Sequence, residues 1–300
     1  MTTAAIPAEG GRSAGQLARE VLGVFKLRIG FMIMITALVG LAVTPGPALT
    51  AMQWVVLSVS VFVSSASAGA FNQYVEYDTD RLMARTRTRA FVTGALPHTP
   101  VWLLLIGVML AASVAAAWLA LNAVAAMYVF LGAFFYAVVY TVWLKRRTSM
   151  NIVVGGLAGS FAVLAGAAAV DPALGPLPLL LALVLFLWTP PHFWSLAIAN
   201  HEDYAAAGVP MLPVVVGRER AAQIVFLSTA ALVAASILPV FFGAGPVYLA
   251  GALAGGLHFI CKAWVLARRP GRATAMGAFF ASLVQLSLLL AAASIDGLLR

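Results

Sequence analysis

Residues 52–80 read MQWVVLSVSVFVSSASAGAFNQYVEYDTD, and this stretch indicates both the fold class and the location of the chemistry. Its first part carries no charged residue over roughly 20 positions, which is the length of helix that crosses a bilayer core of about 30 Å. Similar apolar runs recur between residues 24 and 295. The pattern predicts an all-α, polytopic membrane protein with about nine transmembrane helices.

The composition excludes a soluble enzyme. Hydrophobic residues make up 63% of the 300 positions and charged residues only 9%, whereas about a quarter of the residues of a soluble domain are charged. The single cysteine, Cys261, excludes an internal disulfide and a cysteine metal cluster. The net charge of +8 is explained by loops that fix the orientation in a membrane. We therefore expect no nucleic-acid partner, and the lipid bilayer is the first partner implied.

The basic residues also predict the topology. If the N-terminus is cytoplasmic, every Lys and Arg except Arg300 lies in the N-terminal tail, in a cytoplasmic connection or at a helix end beside one. The positive-inside rule then predicts a plasma (inner) membrane protein with its N-terminus in the cytoplasm and its C-terminus outside. We expect residues 1–22 to form a disordered cytoplasmic tail and residues 23–296 to form the transmembrane domain.

The polar end of the opening stretch predicts a metal site. Asn72, Glu76 and Asp80 are spaced four apart, which places them on one face of a helix, whereas Asp78 falls off that face. A carbonyl and two carboxylates suit Mg²⁺, which prefers a few protein oxygens together with water and substrate phosphate. Arg85 and Arg87 follow directly and could bind the remaining phosphate oxygens. The alternative is a solvated loop in which acids and arginines merely pair.

A second acidic motif follows the sixth predicted span. His201, Glu202 and Asp203 occupy the place that matches the first cluster four helices later. This repetition predicts two pseudo-repeated four-helix halves plus a ninth helix, with both acidic loops over one central cavity. Two such sets could each hold a Mg²⁺ and bridge a diphosphate, although a plain loop is equally compatible with this motif alone.

The connection between the fourth and fifth spans supplies further cations. Tyr140 is followed by Lys145, Arg146 and Arg147 near the end of the span. Such a run offers a receptor for an anion, and it is also what an ordinary cytoplasmic loop looks like.

The sequence contains four longer motifs: Asn72-x3-Glu76-x3-Asp80 with Met83-Ala-Arg85-Thr-Arg87, Tyr140-Thr-x-x-Leu-Lys145-Arg-Arg-Thr-x-x-Asn151-Ile-Val-x-Gly-Gly156, Pro191-His-Phe-Trp-x-Leu-Ala197, and Glu202-Asp-Tyr-x-x-Ala-Gly208-x-Pro-Met-Leu-Pro-Val-Val-x-Gly217. Together they resemble the UbiA-type intramembrane prenyltransferases, over roughly residues 23–295. The last two resemble in particular the protohaem IX farnesyltransferase (haem O synthase) branch of that family.

The resemblance implies a reaction, a metal and roles for individual residues. The reaction joins the farnesyl group of farnesyl diphosphate to a vinyl group of haem B, so that haem is a substrate and not a prosthetic group. Haem A synthase or oxidase assembly proteins are the implied partners. The implied residues are Asn72, Glu76, Asp80 and Asp203 for catalysis, the same four with Glu202 for Mg²⁺, Arg85, Arg87, Lys145 and Arg146 for diphosphate, and Tyr140, His192, Trp194 and His201 for contacts with the acceptor or prenyl chain.

The chain departs from the branch pattern beside the second acidic motif. Ala199-Asn200-His201 stands where the branch usually has Tyr-Arg-Lys, which removes two cations from that loop. A UbiA-type transfer to a quinone precursor or another aromatic acceptor is therefore the alternative activity. Two other classes of protein are also compatible with the sequence. A transporter or channel would call for ionisable residues near the membrane midplane. A non-catalytic haem-handling partner would keep its function when Glu76 and Asp80 are replaced.

Overall fold

The computed structural model describes residues 13–299, and within this range it contains helices and no strands. The helices are α1 (Ala14–Val24), α2 (Leu27–Val43), α3 (Ala51–Val75), α4 (Tyr77–Asp80), α5 (Val101–Ala120), α6 (Ala123–Phe134), α7 (Asn151–Gly155), α8 (Leu157–Val170), α9 (Pro176–Ala199), α10 (His201–Ala206), α11 (Leu212–Val216), α12 (Arg218–Ala235), α13 (Pro246–Arg268) and α14 (Arg272–Leu298). A π-helical segment, Phe135–Leu144, continues α6, and a short 3₁₀ helix, Leu238–Phe242, follows α12.

The helices confirm the predicted all-α fold of a multi-pass membrane protein. Eight helices of residues 13–299 are long and apolar enough to cross a bilayer, counting α6 with its π-helical segment and α7 with α8. A ninth span results if α1 and α2, which meet at an angle of 46°, are one bent span. The long apolar helices present many large hydrophobic side chains on their outer faces, which is how a protein contacts lipid rather than water.

The predicted disordered tail, residues 1–22, needs a correction. Residues 1–12 lie outside the described part of the chain, but from Ala14 onward the segment is helical. Ser13 begins α1 with a capping box, in which its hydroxyl accepts from the Gln16 backbone while the Gln16 side chain accepts from the Ser13 backbone. Val24 at the end of α1 is fully buried against an aromatic cluster. The cap at its start and the buried Val24 at its end are the contacts that favour helix in this stretch.

Small residues allow close packing of α2 against α8 in the middle of the bundle. A Cβ atom added at Gly40 would lie 2.1 Å from the Val163 carbonyl oxygen, and one added at Gly166 would lie 1.7 Å from the Ala37 carbonyl oxygen. Only glycine permits such approaches, as is common where membrane helices cross. This contact joins the first span to the fifth.

Candidate active site

The three oxygen-bearing residues of the first motif form a buried ladder at the end of α3. Asn72, Glu76 and Asp80 are between 2% and 3% exposed. The helix breaks at Glu76, yet the amides of Glu76 and Asp80 still donate to the carbonyls four residues earlier, at 3.0 and 2.8 Å. The side chains therefore share one face, as the spacing predicts, and Asp78 is exposed.

Each rung of this ladder has a cation from a different part of the chain. Lys26 Nζ donates to Asn72 Oδ1 at 2.5 Å, and Lys145 Nζ forms an ion pair with Glu76. Arg89 Nη1 lies 2.5 Å from Asp80 Oδ2 and 3.8 Å from Glu76 Oε2. The buried acids are thus neutralised by the protein itself, because a buried charge without a partner would be very costly.

A bend in the first span delivers Lys26 to this site. Lys26 lies between α1 and α2 with a φ of 50°, in the left-handed region that residues other than glycine seldom adopt. Its ammonium group also donates to the Tyr136 hydroxyl at 3.1 Å. The strained backbone is held because Gly69 of α3 leaves space for it, since a Cβ there would lie 3.2 Å from the Phe25 carbonyl oxygen.

Two consecutive hydrogen bonds fix the orientation of the Asn72 side-chain amide. Its Nδ2 donates to Thr141 Oγ1 at 3.0 Å, and Thr141 Oγ1 in turn donates to the Tyr136 carbonyl at 2.8 Å. The Asn72 carbonyl oxygen is therefore the atom turned toward the cation. This chain of bonds runs through the π-helical segment, whose wider turns are frequent at functional sites.

The ladder suits a hard divalent cation shared with a phosphate-bearing ligand. Residues 13–299 contain no group of three or more His, Cys, Asp and Glu side chains arranged to hold a metal ion, so a cage built only of such ligands is not present there. One carbonyl and two carboxylates, each now contacting a protein cation, are instead the kind of partial set that Mg²⁺ completes with phosphate and water. Burial raises the pKa of the Asp80 carboxyl, and the charge of Arg89 opposes that rise.

The predicted diphosphate cations are spread around the ladder. Lys145 contacts it directly, and Arg146 donates to the buried Thr79 hydroxyl in the adjacent turn. Arg85 and Arg87 are exposed and form no ion pair in the described structure. The arginine that reaches the acids is Arg89, which follows them in the same run.

The second acidic motif is divided between the interior and the surface. Tyr204 is 5% exposed, and this burial raises the pKa of its hydroxyl. The charge of Arg85 opposes the rise, and the charge of Glu76 adds to it. This loop therefore lies within electrostatic range of the first motif. Asp203 and His201 are partly exposed. The Glu202 side chain is 90% exposed and pairs with Arg218 at 3.2 Å, so the structure does not bring it to the ladder.

The residues predicted to contact an acceptor or prenyl chain fall into two places. Tyr140 stacks on Tyr136 with ring centroids 5.8 Å apart, and Lys145 lies 5.8 Å above the Tyr140 ring, beside the ladder. His192 is buried between α9 and α14, where Nδ1 lies 2.6 Å from the Ser282 hydroxyl and its ring stacks on Trp188. Trp194 is 6% exposed, and its indole N–H has no partner in the described structure.

The predicted site residues do not include Lys26, Arg89 or Thr141. At the start of an apolar span, Lys26 suits either a headgroup anchor or a contact with an anionic substrate, and nothing local indicates the bend that turns it inward. Arg89 was visible as one member of an arginine run, without a reason to prefer it to Arg85 or Arg87. Thr141 lies one residue after Tyr140 in the π-helical segment, and the spacing of residues in the sequence does not predict π-helical winding.

The fold and the site together define a class of protein. A membrane bundle with a buried oxygen ladder and several cations at one end is suited to ligands that combine an anionic phosphate head with an apolar chain. The UbiA prenyltransferase family matches residues 33–284, and the chain belongs to this family.

Two curated relatives from Paramagnetospirillum magneticum are similar over nearly the whole chain. One, named Protoheme IX farnesyltransferase 2, is 56% identical and covers 94% of this chain and 98% of its own length. The other, named Protoheme IX farnesyltransferase 1, is 45% identical and covers 93% of this chain and 98% of its own length.

Solved structures share the fold at low sequence identity. A structure described as digeranylgeranylglyceryl phosphate synthase in membranes has a TM-score of 0.79 at 16% identity, covering 95% of this chain and 99% of its own. A UbiA homologue from Archaeoglobus fulgidus, bound to GPP and Mg²⁺, has a TM-score of 0.69 at 17% identity, covering 92% and 99%.

Proposed function

We propose that this protein transfers the farnesyl group of farnesyl diphosphate to a vinyl group of haem B, giving haem O and diphosphate. The observation that carries the proposal is the buried ladder Asn72, Glu76 and Asp80 with its cations Lys26, Lys145 and Arg89. Farnesyl and haem as the two substrates come from the names of relatives that are 56% and 45% identical.

Asn72, Glu76 and Asp80 would hold Mg²⁺, and Asp203 of the second motif would supply a further carboxylate, whereas Glu202 is exposed and pairs with Arg218. When bound, Mg²⁺ draws off negative charge from the departing diphosphate. The cations that now pair with the acids are the same groups that a diphosphate needs. Lys26, Lys145 and Arg89 would contact phosphate oxygens of the bound diphosphate, and Arg85, Arg87 and Arg146 would add positive charge at the rim.

Catalysis then requires positive charge at the departing diphosphate and exclusion of water around the allylic cation. As the allylic C–O bond breaks, its electron pair leaves with the diphosphate, and the cations stabilise the charge that develops on its oxygens. The stacked faces of Tyr136 and Tyr140 beside the ladder stabilise the allylic cation and exclude water. The haem vinyl attacks that carbon, the new cation beside the porphyrin takes hydroxide from water, and a proton is released.

The same proposal includes an orientation and neighbours in the membrane. We place the ladder at the cytoplasmic side of an inner membrane, with the N-terminus inside and the C-terminus outside, because the basic residues lie at that side. Haem O is an apolar product, so the next protein must take it up within the bilayer. Haem A synthase and oxidase assembly proteins are the proposed receivers.

A product assay in proteoliposomes tests the proposal. The purified chain is incubated with haem B, farnesyl diphosphate and Mg²⁺, and extracted haems are separated by liquid chromatography and weighed by mass spectrometry. We expect a haem heavier by one farnesyl group and one hydroxyl group, and none of it with Glu76→Gln. Unchanged haem B with a folded protein would contradict the proposal, and farnesylation of an aromatic acceptor in that case would establish the alternative activity.

A further inference from the structure

The helix break at Glu76 exposes a backbone carbonyl that His98 satisfies. α3 ends at Val75 and α4 begins at Tyr77, and carbonyls in the last turn of a helix lack their usual partner. His98 Nε2 lies 2.8 Å from the carbonyl oxygen of Tyr74. A carbonyl can only accept, so Nε2 carries the proton and donates.

The imidazole is also held by aromatic rings on both sides of the break. It stacks on Tyr74 with centroids 4.1 Å apart and on Tyr77 with centroids 4.6 Å apart, at interplanar angles of 20° and 16°. The buried Phe91 ring lies nearly perpendicular to the imidazole, with ring centroids 5.6 Å apart. The Arg81 guanidinium lies over the Tyr77 ring, 4.1 Å from its centroid.

The backbone beside His98 is anchored from the following helix. Trp102 Nε1 of α5 donates to the Pro97 carbonyl at 3.1 Å, and its ring meets Phe91 edge-on at 5.3 Å. His98 is thus attached to α5 on one side and to the junction of α3 and α4 on the other. Between them runs the loop that carries Arg89 to Asp80.

We propose that His98 is a positioning residue, which fixes the junction of α3 and α4 and thereby the spacing of Glu76 and Asp80 on the ladder. It touches neither acid and acts through Tyr74 and Tyr77. Its consequence for metal binding rests on the proposed function, whereas its effect on the junction does not.

Four substitutions separate the parts of this role. His98→Gln keeps a donor at the reach of Nε2, His98→Phe keeps a ring without a donor, and His98→Ala keeps neither. The matched control is His258→Ala, because His258 is an exposed histidine of α13 away from the junction. All four proteins are compared by thermal unfolding in the same detergent, so that a general loss of folding is recognised.

Two readouts that do not use turnover decide the proposal. Hydrogen exchange of the amides of residues 74–82 reports the junction, and Mn²⁺ titration followed by EPR, with inorganic diphosphate present, reports the metal site. For His98→Ala we expect faster exchange confined to residues 74–82 and Mn²⁺ affinity weakened about fivefold, the size of effect that one hydrogen bond gives. His98→Phe, which keeps only the stacking, and His98→Gln, which keeps only the donor, should each be intermediate, and the control should match the parent protein.

Unchanged exchange and affinity in His98→Ala would overturn the proposal, and so would faster exchange spread evenly over the protein. If the parent protein binds no Mn²⁺, the proposed metal site fails, and the exchange measurement still decides whether His98 fixes the junction.

Discussion

Lys26 Nζ donates a hydrogen bond to Asn72 Oδ1 at 2.5 Å although the two residues are 46 positions apart. The contact exists because the chain bends by 46° between α1 and α2, which turns the lysine from the lipid side into the bundle. The Lys26 ammonium group therefore lies beside the Asn72 carbonyl oxygen, which is one of the oxygens proposed to bind the metal ion. Lys145 and Arg89 pair with the two carboxylates of the ladder, and Lys26 adds a third cationic side chain beside the Asn72 carbonyl.

Replacing Lys26 tests whether this cation serves the substrate. Lys26→Met keeps the length of the side chain and removes its charge, so we expect the KM for farnesyl diphosphate to rise about tenfold or more, the range for loss of a charged hydrogen bond. Initial rates against farnesyl diphosphate concentration measure it. Lys262→Met, on an exposed lysine of α13, should leave the KM unchanged, and equal effects of both variants would refute a specific role for Lys26.

Replacing Asp80 tests the ladder itself. Asp80→Asn preserves shape while removing one carboxylate and the ion pair with Arg89, so we expect kcat to fall about a hundredfold or more because charge stabilisation in the transition state is lost. Single-turnover rates at saturating Mg²⁺ measure it. Glu219→Gln, on an exposed carboxylate of α12, is the control. Turnover within twofold of the parent would exclude Asp80 from catalysis.

Thr141 should matter through Asn72 alone. Thr141→Val is nearly isosteric but cannot accept the hydrogen bond from Asn72 Nδ2, which leaves a buried amide free to rotate. We expect kcat/KM to fall about fivefold to tenfold, in line with the loss of one buried hydrogen bond. Thr141→Ser keeps the hydroxyl and should retain most of the activity. If the valine variant is as active as the serine variant, the hydrogen bond to Asn72 is not what supports turnover.

Removing divalent metal should abolish turnover without unfolding the protein. Lys26, Lys145 and Arg89 already compensate the ladder, so EDTA should shift the unfolding midpoint by only about 2 °C or less, since little stability is linked to the metal. Turnover and differential scanning fluorimetry are followed on the same sample, before and after Mg²⁺ is restored. A large fall of the midpoint in EDTA would show that the metal is structural.

Ser282 should affect stability rather than chemistry. Ser282→Ala removes the hydroxyl 2.6 Å from His192 Nδ1 and leaves a buried ring nitrogen without that partner. We expect a destabilisation of about 1 kcal/mol, typical of a hydrogen bond between membrane helices, with the KM for haem unchanged. Thermal unfolding and acceptor kinetics are compared. A changed KM with unchanged stability would instead support the predicted contact of His192 with the acceptor.

The first motif was predictable because its geometry is local. Four-residue spacing puts side chains on one helical face whatever the rest of the chain does, so Asn72, Glu76 and Asp80 share a face and Asp78 does not. The spans were predictable for a similar reason, since the length of an apolar helix is set by the thickness of the bilayer. The two pseudo-repeated halves within residues 23–296 stay a prediction.

The ion pairs between residues distant in the sequence could not be predicted from the spacing of charged residues along the chain. Glu202 seemed equivalent to Glu76 by its position in the chain, yet it is exposed and pairs with Arg218. Arg89 reaches the acids while Arg85 and Arg87 are exposed. Which member of a charged run turns inward depends on the path of the loop, and that path follows from aromatic packing around Phe91.

The sequence by itself determined the all-helical membrane fold and the shared face of Asn72, Glu76 and Asp80, because these depend on helix length and helical period alone. Only the tertiary structure decided which cations contact those three residues, and it selected Lys26, Lys145 and Arg89. The physical reason is that buried charges must be paired, and the pairs are chosen by helix bends and loop paths that join distant parts of the chain.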